Sequence, residues 1–410
     1  MPVSTQLPPH AWITVALLWV VGLLNYLDRV MITTMRGSLK EVIPMTDAQF
    51  GLLTTMFLLV YAVLSPFAGY IADRFNRRYI IIGSLFLWSV VTWLTARAHT
   101  YNELLLTRAL MGISEACYIP ASLALLMDFH RGPTRSLATG LNLSGVMVGS
   151  ALGGVGGWLA ERHGWAYSFN LFGLIGIVYS FVILFLLRDP PPSDEPSHLS
   201  SKHEPIHFGA AISSLFKRPA FLMALAFWGL LGVGSWAVTG WMPTYLHERF
   251  NLSQGTAGLS STLYVNISAL IGMLIGGAWA DRWSLVNPRG RILVPLIGLA
   301  TAAPAILLAS TTPVFAVAIV ALVCYGLARA FTDTNMMPIL CLISDSRYRA
   351  TGYGVLNFVA CVVGGLTIYA GGVLRDSHVD ISHVFQFSAA TIALCAVLLY
   401  FVRPRLDASA

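Results

Sequence analysis

Charge is what this chain has least of. Only 11% of its 410 residues are Asp, Glu, Lys or Arg, where a soluble globular protein carries about 25%. Hydrophobic residues make up 56% and the mean hydropathy is +0.70. That balance excludes an ordinary soluble domain and points to a chain that lives in lipid. Cysteine is also scarce, with five residues. Cys117, Cys324, Cys341, Cys361 and Cys395 all sit in apolar runs, where a free thiol acts as a small hydrophobe. This excludes a disulfide framework, and no C-x-x-C or H-E-x-x-H spacing offers a metal site. The net charge of +6 is spread over short loops with no basic tract or stripe, so nucleic acid is not an expected partner. No nucleophile–base pair or nucleotide loop supports an enzyme, and no cofactor is expected. No basic segment precedes the first apolar run, which is long enough to span, so the N-terminus reads as a span and not as a cleaved signal.

What the chain does have is apolar runs of about 20 residues, the length that crosses a bilayer as a helix. Twelve are predicted, near 11–34, 49–71, 78–97, 102–127, 135–158, 166–187, 219–246, 255–280, 291–309, 313–343, 350–373 and 384–402. The expected fold is an all-α membrane protein of twelve transmembrane helices in two six-helix halves. The longest polar break, with Pro190-Pro191-Pro192, divides the chain into a half at 1–188, a linker at 189–218 and a half at 219–410. Within the linker, Phe208 to Phe216 is either a short amphipathic surface helix or coil. With the N-terminus inside, sixteen Lys and Arg fall on inner loops and six on outer ones, which places both termini in the cytoplasm. Only Arg29, Arg108 and Arg329 remain for the membrane interior.

The halves echo each other about two hundred residues apart. Gly69…Asp73-Arg74…Arg77-Arg78 ends span two, and Gly277…Asp281-Arg282 ends span eight. Glu115 stands five residues before Pro120, and Asp333 five before Pro338. Arg135-Ser-Leu-Ala-Thr-Gly140 opens span five, and Arg349-Ala-Thr-Gly352 opens span eleven. A parallel duplication of six spans marks a transporter architecture whose ligand site lies near the midplane between the halves.

The buried charges are the candidate site. Arg108 and Glu115 are seven residues apart, about two helical turns, so they share one face, with Gly112 between them leaving room for a ligand or a neighbouring helix. A charge near a bilayer centre costs roughly 2.5–3.5 kcal/mol. Keeping two on one face points either to a watered cavity or to a structural ion pair, and a second pair, Asp28-Arg29, in span one favours the cavity. Asp28 and Glu115 are candidate proton carriers. Arg29 and Arg108 either hold these carboxylates ionised or bind an anionic substrate; Arg29 alternatively points to solvent at the end of its span. In span ten, Arg329 and Asp333 are one turn apart and either form an intrahelical pair or, with Thr332, Thr334 and Asn335 as a polar patch facing the same cavity, bind substrate or take part in coupling. Tyr118, Asn266 and Asn357 are further candidates to line the cavity, although buried amides often serve interhelical hydrogen bonds. Gly145, Gly149, Gly153, Gly154 and Gly157 make span five a small-residue face for close helix contact.

On these residues the chain resembles the major facilitator superfamily, over its whole length. The loop of Gly69, Asp73, Arg74, Arg77 and Arg78, with its weaker copy at Asp281 and Arg282, matches the family's motif A. The resemblance implies that it latches the halves in the outward-open state. Asn25-Tyr-Leu-Asp28-Arg29, Ser65-Pro-Phe-Ala-Gly69-Tyr and Gly112-Ile-Ser-Glu115-Ala resemble the Spinster-type lysolipid transporters. The same Asn-Tyr-x-Asp-Arg, together with Arg108…Glu115-Ala…Pro120-Ala, is also similar to the anion:cation symporters. Both branches imply proton-coupling roles for Asp28 and Glu115. Span five resembles the antiporter motif but has Ser150 where that motif usually has proline, which weakens antiport. The expectation is a proton-coupled secondary transporter of a small organic anion of the sugar-acid type. The alternative is a Spinster-like carrier of a lysolipid or other amphiphile. Either is expected to act as a monomer in a bacterial inner membrane, in contact with lipid.

Overall fold

The computed structural model describes residues 10–130, 134–190, 208–287, 289–343 and 349–401. The first half contains α1 (Ala11–Met31), α2 (Arg36–Val42), α3 (Asp47–Arg74), α4 (Arg77–Thr95), α5 (Tyr101–Glu115), α6 (Tyr118–Phe129), α7 (Arg135–Leu152), α8 (Gly154–His163) and α9 (Trp165–Leu186). After α10 (Phe208–Phe216), the second half contains α11 (Pro219–Arg249), α12 (Gln254–Ser284), α13 (Gly290–Thr311), α14 (Phe315–Ile343), α15 (Arg349–Asp376) and α16 (Ser382–Phe401). Among the described residues, twelve helical segments are long and apolar enough to cross a membrane. The expected linker lies partly outside the described residues; where it is described, α10 is helical over the residues that read as a surface helix.

The helix ends follow local chemistry. Thr46 and Gln49 form a reciprocal capping box at α3, and Thr100 and Glu103 form one at α5, which satisfies amide donors that have no partner within the helix. Asn76 caps α4 through the amides of Arg78 and Tyr79. The fourth span is not one continuous helix. It breaks between Glu115 and Tyr118, because Pro120 has no N–H to return to the carbonyl one turn earlier. The break puts Glu115 at a helix end.

Span five behaves as its glycines predict. A Cβ at Gly145 or Gly149 would overlap main-chain carbonyls of Trp19 or Leu23 on α1, so α1 and α7 approach closer than any larger residue permits. Gly112 likewise stands 2.8 Å, at the Cβ position, from the carbonyl of Phe57 on α3. Its space holds a neighbouring helix and no ligand.

The halves meet along two seams, α3 with α15 and α7–α8 with α12. In the first, the Thr55 hydroxyl donates to the Gly365 carbonyl at 2.6 Å, and Gly51 faces Ile368. In the second, the Gly154 amide donates to the Thr262 hydroxyl at 3.1 Å, which itself donates to the Ala151 carbonyl at 2.8 Å. These contacts join the first turns of α3 and α12 to the last turns of α7 and α15, with α8. All therefore lie toward the same end of the bundle, which also carries Arg36 and Arg375. Toward the opposite end, which carries Arg77 and Arg78, Pro66 and Phe67 of α3 and Tyr353 of α15 are exposed.

Candidate functional site

Asp28, Arg29, Arg108 and Glu115 are brought together inside the first half, each at most 5% exposed. Arg29 donates to Glu115 at 2.8 Å, from α1 to α5. Its guanidinium also sits over the rings of Tyr26, Phe57 and Tyr61, at 4.5, 4.7 and 4.8 Å from their centroids. Planar guanidinium stacks on aromatic faces in a way an ammonium cannot. The solvent-facing alternative for Arg29 is therefore overturned: the rings and the carboxylate hold it in the bundle. Cys361 of α15 lies close to Arg29 and Tyr61, so this pair sits against the seam between the halves.

Asp28 and Arg108 lie deeper in the half. The Thr92 hydroxyl donates to Asp28 at 3.3 Å. Arg108 stacks over Phe169 at 5.5 Å, and its Nε and one terminal nitrogen have no hydrogen-bond partner. Asn25, one turn before Asp28 on α1, is fully buried with both amide atoms unpartnered, as is one oxygen each of Asp28 and Glu115. Buried polar groups are normally satisfied, so this concentration of open valences is unusual. The formal charges of the four ionisable groups cancel when both carboxylates are ionised. Taking up one proton gives the cluster a net charge of +1.

The structure does not put Tyr118 in a cavity. Its hydroxyl donates to the Leu18 carbonyl at 2.9 Å, and its ring meets Trp88 edge-on at 5.5 Å. Tyr118 packs α6 against α1 and α4, which corrects the expectation of a ligand contact. Arg108, at 1% exposure, is likewise out of reach of a substrate in this conformation.

The second half supplies its own pair. Arg329 and Asp333 are joined by two hydrogen bonds, 2.8 and 3.2 Å, and Arg329 also donates to Ser235 at 3.1 Å. A cavity of about 70 Å³ between the halves is lined by Arg329, Asn266, Tyr325, Ser235, Thr239, Ser261 and Thr262 from the second half and by Val30 and Ser150 from the first. Asn357 is half-buried on α15, one turn from Tyr353 and one from Cys361 on the stripe that faces the seam. Tyr353 of α15 is within electrostatic reach of both Tyr26 of the first half and Asp333 of the second.

At the Arg77 end, the residues of the motif make contacts within their own halves. Arg77 pairs with Asp128 on α6. Arg78 donates to the Leu184 carbonyl at 2.6 Å and lies 3.6 Å from Asp189. Asp281 pairs with Arg291 at 3.2 Å, and Arg74 and Arg282 are exposed. Gly69 and Asp73 lie on α3, with Asp73's side chain outside the description.

Sequence reasoning missed the strongest inter-half contact. Asp47 is gripped by Arg36 and Lys40 of its own half and by Arg375 of the other. Each of these charges stands at a helix end, where it reads as ordinary surface charge, and no local spacing connects residues more than three hundred positions apart. Asn25 and the Phe57–Tyr61 pair were findable, at i,i+3 from Asp28 and at i,i+4 on one helix face.

A sequence model described as Major Facilitator Superfamily matches residues 18–369. Among curated proteins, the chain is 27% identical over 317 residues to protein spinster homolog 1 of Bos taurus, covering 73% of this chain and 60% of that protein. It is 25% identical over 397 residues to an MFS-type efflux pump of Mycolicibacterium smegmatis, covering 95% of this chain and 90% of the pump. The chain thus spans about 60% of the length of the Spinster relatives it matches. Among solved structures, a bacterial homolog of the human lysosomal transporter Spinster, inward-facing and unoccupied, aligns with a TM-score of 0.76 over 96% of this chain and 95% of that one, at 22% identity. The nucleoside transporter NupG aligns at 0.75 over 94% and 99%, at 14% identity. At these identities the likeness is one of fold.

Proposed function

Because the chain belongs to the Major Facilitator Superfamily, whose fold is that of membrane transporters, we propose that it carries a small organic anion of the sugar-acid type together with protons, by alternating access. The observation that carries this reading is the polar cavity at the seam, with Arg329 as its cation. Most hydroxyls around it spend their protons on helix carbonyls: Thr239 on Ser235, Ser261 on Gly258, Thr262 on Ala151, Tyr325 on Gly234. The Asn266 amide nitrogen donates to the Thr262 carbonyl. The lining therefore offers oxygen lone pairs and one guanidinium, which complements a carboxylate bearing several hydroxyl donors.

Coupling follows from charge. With both carboxylates ionised, Arg29 is neutralised by Glu115. Protonation of Glu115 releases Arg29 as an uncompensated cation beside the seam, which favours an anion there. Proton and substrate thus bind together, which is symport. Our reading sets the chain in a bacterial inner membrane, where the positive-inside bias favours a cytoplasmic Arg77 end with Arg77 and Arg78 close to lipid phosphates. The chain acts as a monomer, with both halves contributing to the cavity between them.

Uptake into liposomes with a panel of hexonates, hexuronates and lysophospholipids tests the reading. Hexonate or hexuronate accumulation driven by an imposed proton gradient is expected. Arg329→Gln should raise KM about tenfold or more with a smaller change in kcat, as for the loss of a charge-assisted hydrogen bond. An unchanged KM removes Arg329 from the substrate site. A second reading, a lysolipid-type cargo, is favoured by the apolar face of Pro66, Phe67 and Ile71, exposed on α3 beyond its contact with α15. It takes precedence if only the lysophospholipids move.

A further inference from the structure

Asn25 is fully buried on α1, and neither its amide nitrogen nor its amide oxygen has a hydrogen-bond partner. It lies one turn before Asp28 and Arg29 and stands next to Glu115 of α5. The carboxyls near it are each half used. Arg29 donates to Oε2 of Glu115 and leaves Oε1 without a partner; Thr92 donates to Oδ2 of Asp28 and leaves Oδ1 without one. Buried amides are normally paired, and a side chain kept to tie two helices together would close a bond to the second helix. Asn25 closes none. What it faces is an open carboxyl oxygen, and a carboxamide suits that oxygen in either protonation state. Its N–H donates to a carboxylate, and its C=O accepts the O–H of a carboxylic acid. A guanidinium can only donate, so Arg29 cannot do both.

We infer that Asn25 is the positioning residue of the proton step: its amide donates to Glu115 when that carboxyl is ionised and turns about its last torsion to accept from it when protonated. The inference rests on the reading that Glu115 carries the proton. A proton arriving from water forms the O–H bond at Oε1 and leaves from it again. Arg29 loses its charged partner in the first step and regains it in the second, while Asn25 keeps the carboxyl in place through both. The two bonds are unequal. A hydrogen bond to an ionised oxygen is about twice as strong as one between neutral groups, so Asn25 favours the deprotonated carboxyl and helps the proton to leave. The charged and titratable groups facing Glu115 are Asp28 and Arg29 of α1, Arg108 of its own helix and Tyr61 of α3. Cys361 of α15 stands beside Arg29. Against Asp28, α4 presents Trp88 and Thr92, which do not titrate, and α7, packed on α1, carries no ionisable residue beyond Arg135 at its first position.

Infrared titration of the full chain in lipid nanodiscs tests this without any transported substrate, so the identity of the cargo does not enter. The C=O stretch of a protonated carboxyl that is present in the wild type and lost in Glu115→Gln belongs to Glu115. Asn25→Leu keeps the volume and removes both hydrogen-bonding atoms. In it, the pH at which that band is half lost should rise by about one unit, a tenfold gain in proton affinity, as for the loss of one charge-assisted hydrogen bond. Asn25→Ser, whose hydroxyl still donates and accepts, should shift it less and in the same direction. A role confined to packing α1 on α5 predicts a lower unfolding temperature with the midpoint unmoved in both variants, and that result overturns the inference. If Glu115 titrates in the wild type and the Asn25 variants titrate at the same pH, this inference alone falls. If Glu115→Gln removes no band at any pH, Glu115 is not the proton carrier and both readings fall together. Should Asn25→Leu not fold, Asn25→Ser decides by the same criterion.

Discussion

Glu115→Gln is expected to abolish proton-driven accumulation and leave exchange running. Glutamine cannot release a proton, so the buried cluster would be fixed with Arg29 and Arg108 against Asp28 alone, the charge state assigned to the proton-loaded carrier. A substrate on one side should still swap for substrate on the other, at a rate within about tenfold of wild type, equivalent to about 1.4 kcal/mol in a barrier. The concentration ratio reached under an imposed proton gradient should drop to simple equilibration. Glutamine is the informative change because its amide oxygen still accepts from Arg29, the bond seen at 2.8 Å. Alanine would strand a caged guanidinium without its partner, and breaking a buried pair in that way costs about 3–5 kcal/mol, enough to confuse misfolding with uncoupling. Accumulation and counterflow measured on the same liposomes decide the matter. Retained accumulation would remove Glu115 from the coupling and leave Asp28 as the candidate.

The parts of this molecule that were legible in the sequence are those governed by short-range rules. Apolar run length gave the spans, and the small-residue face of Gly145 and Gly149 gave the α1–α7 contact, because both depend on residues one or two turns apart. The Arg329–Asp333 pair was legible for the same reason, at i,i+4 on one helix. What was not legible depended on which helix faces which. Arg108 and Glu115 do share a face of α5, yet Glu115 takes its cation from α1, because Arg29 is steered there by Phe57 and Tyr61 of α3. In the sequence Tyr118 reads as a cavity residue because it offers an aromatic hydroxyl at the depth of the buried charges. The break ahead of Pro120 turns it instead onto Leu18 and Trp88. The ion-pair cluster around Asp47 was the least legible, since Arg375 and Glu248 come from distant helix ends and carry no local signature.

Gly154→Val is expected to stop transport with both halves still folded, and the reason is the address of the clash. A Cβ at Gly154 would stand 2.6 Å from the Leu259 Cα, 2.6 Å from the Thr262 hydroxyl and 2.7 Å from the Gly258 carbonyl carbon. Two of these are main-chain atoms of α12, in the opposite half, and cannot turn aside as a flexible side chain could. The bulk of valine is therefore relieved by parting the seam, with loss of the Gly154 amide's bond to Thr262, and not by distorting either half. Gly149→Val makes the contrast. Its Cβ would strike the Leu23 carbonyl on α1, within the same half, where overpacking costs about 1–3 kcal/mol or more in the fold itself. The thermal unfolding temperature should therefore drop for Gly149→Val and stay near wild type for Gly154→Val, while uptake by the latter falls about fivefold or more, since a wedge of the same 1–3 kcal/mol weights the open end by that factor. Gly83, with open space at its Cβ position, is the control that should tolerate valine in both assays. The wedge is steric, so amide exchange at the seam should rise and stay insensitive to salt. Wild-type uptake by a folded Gly154→Val would mean that this end need not close in the transport cycle.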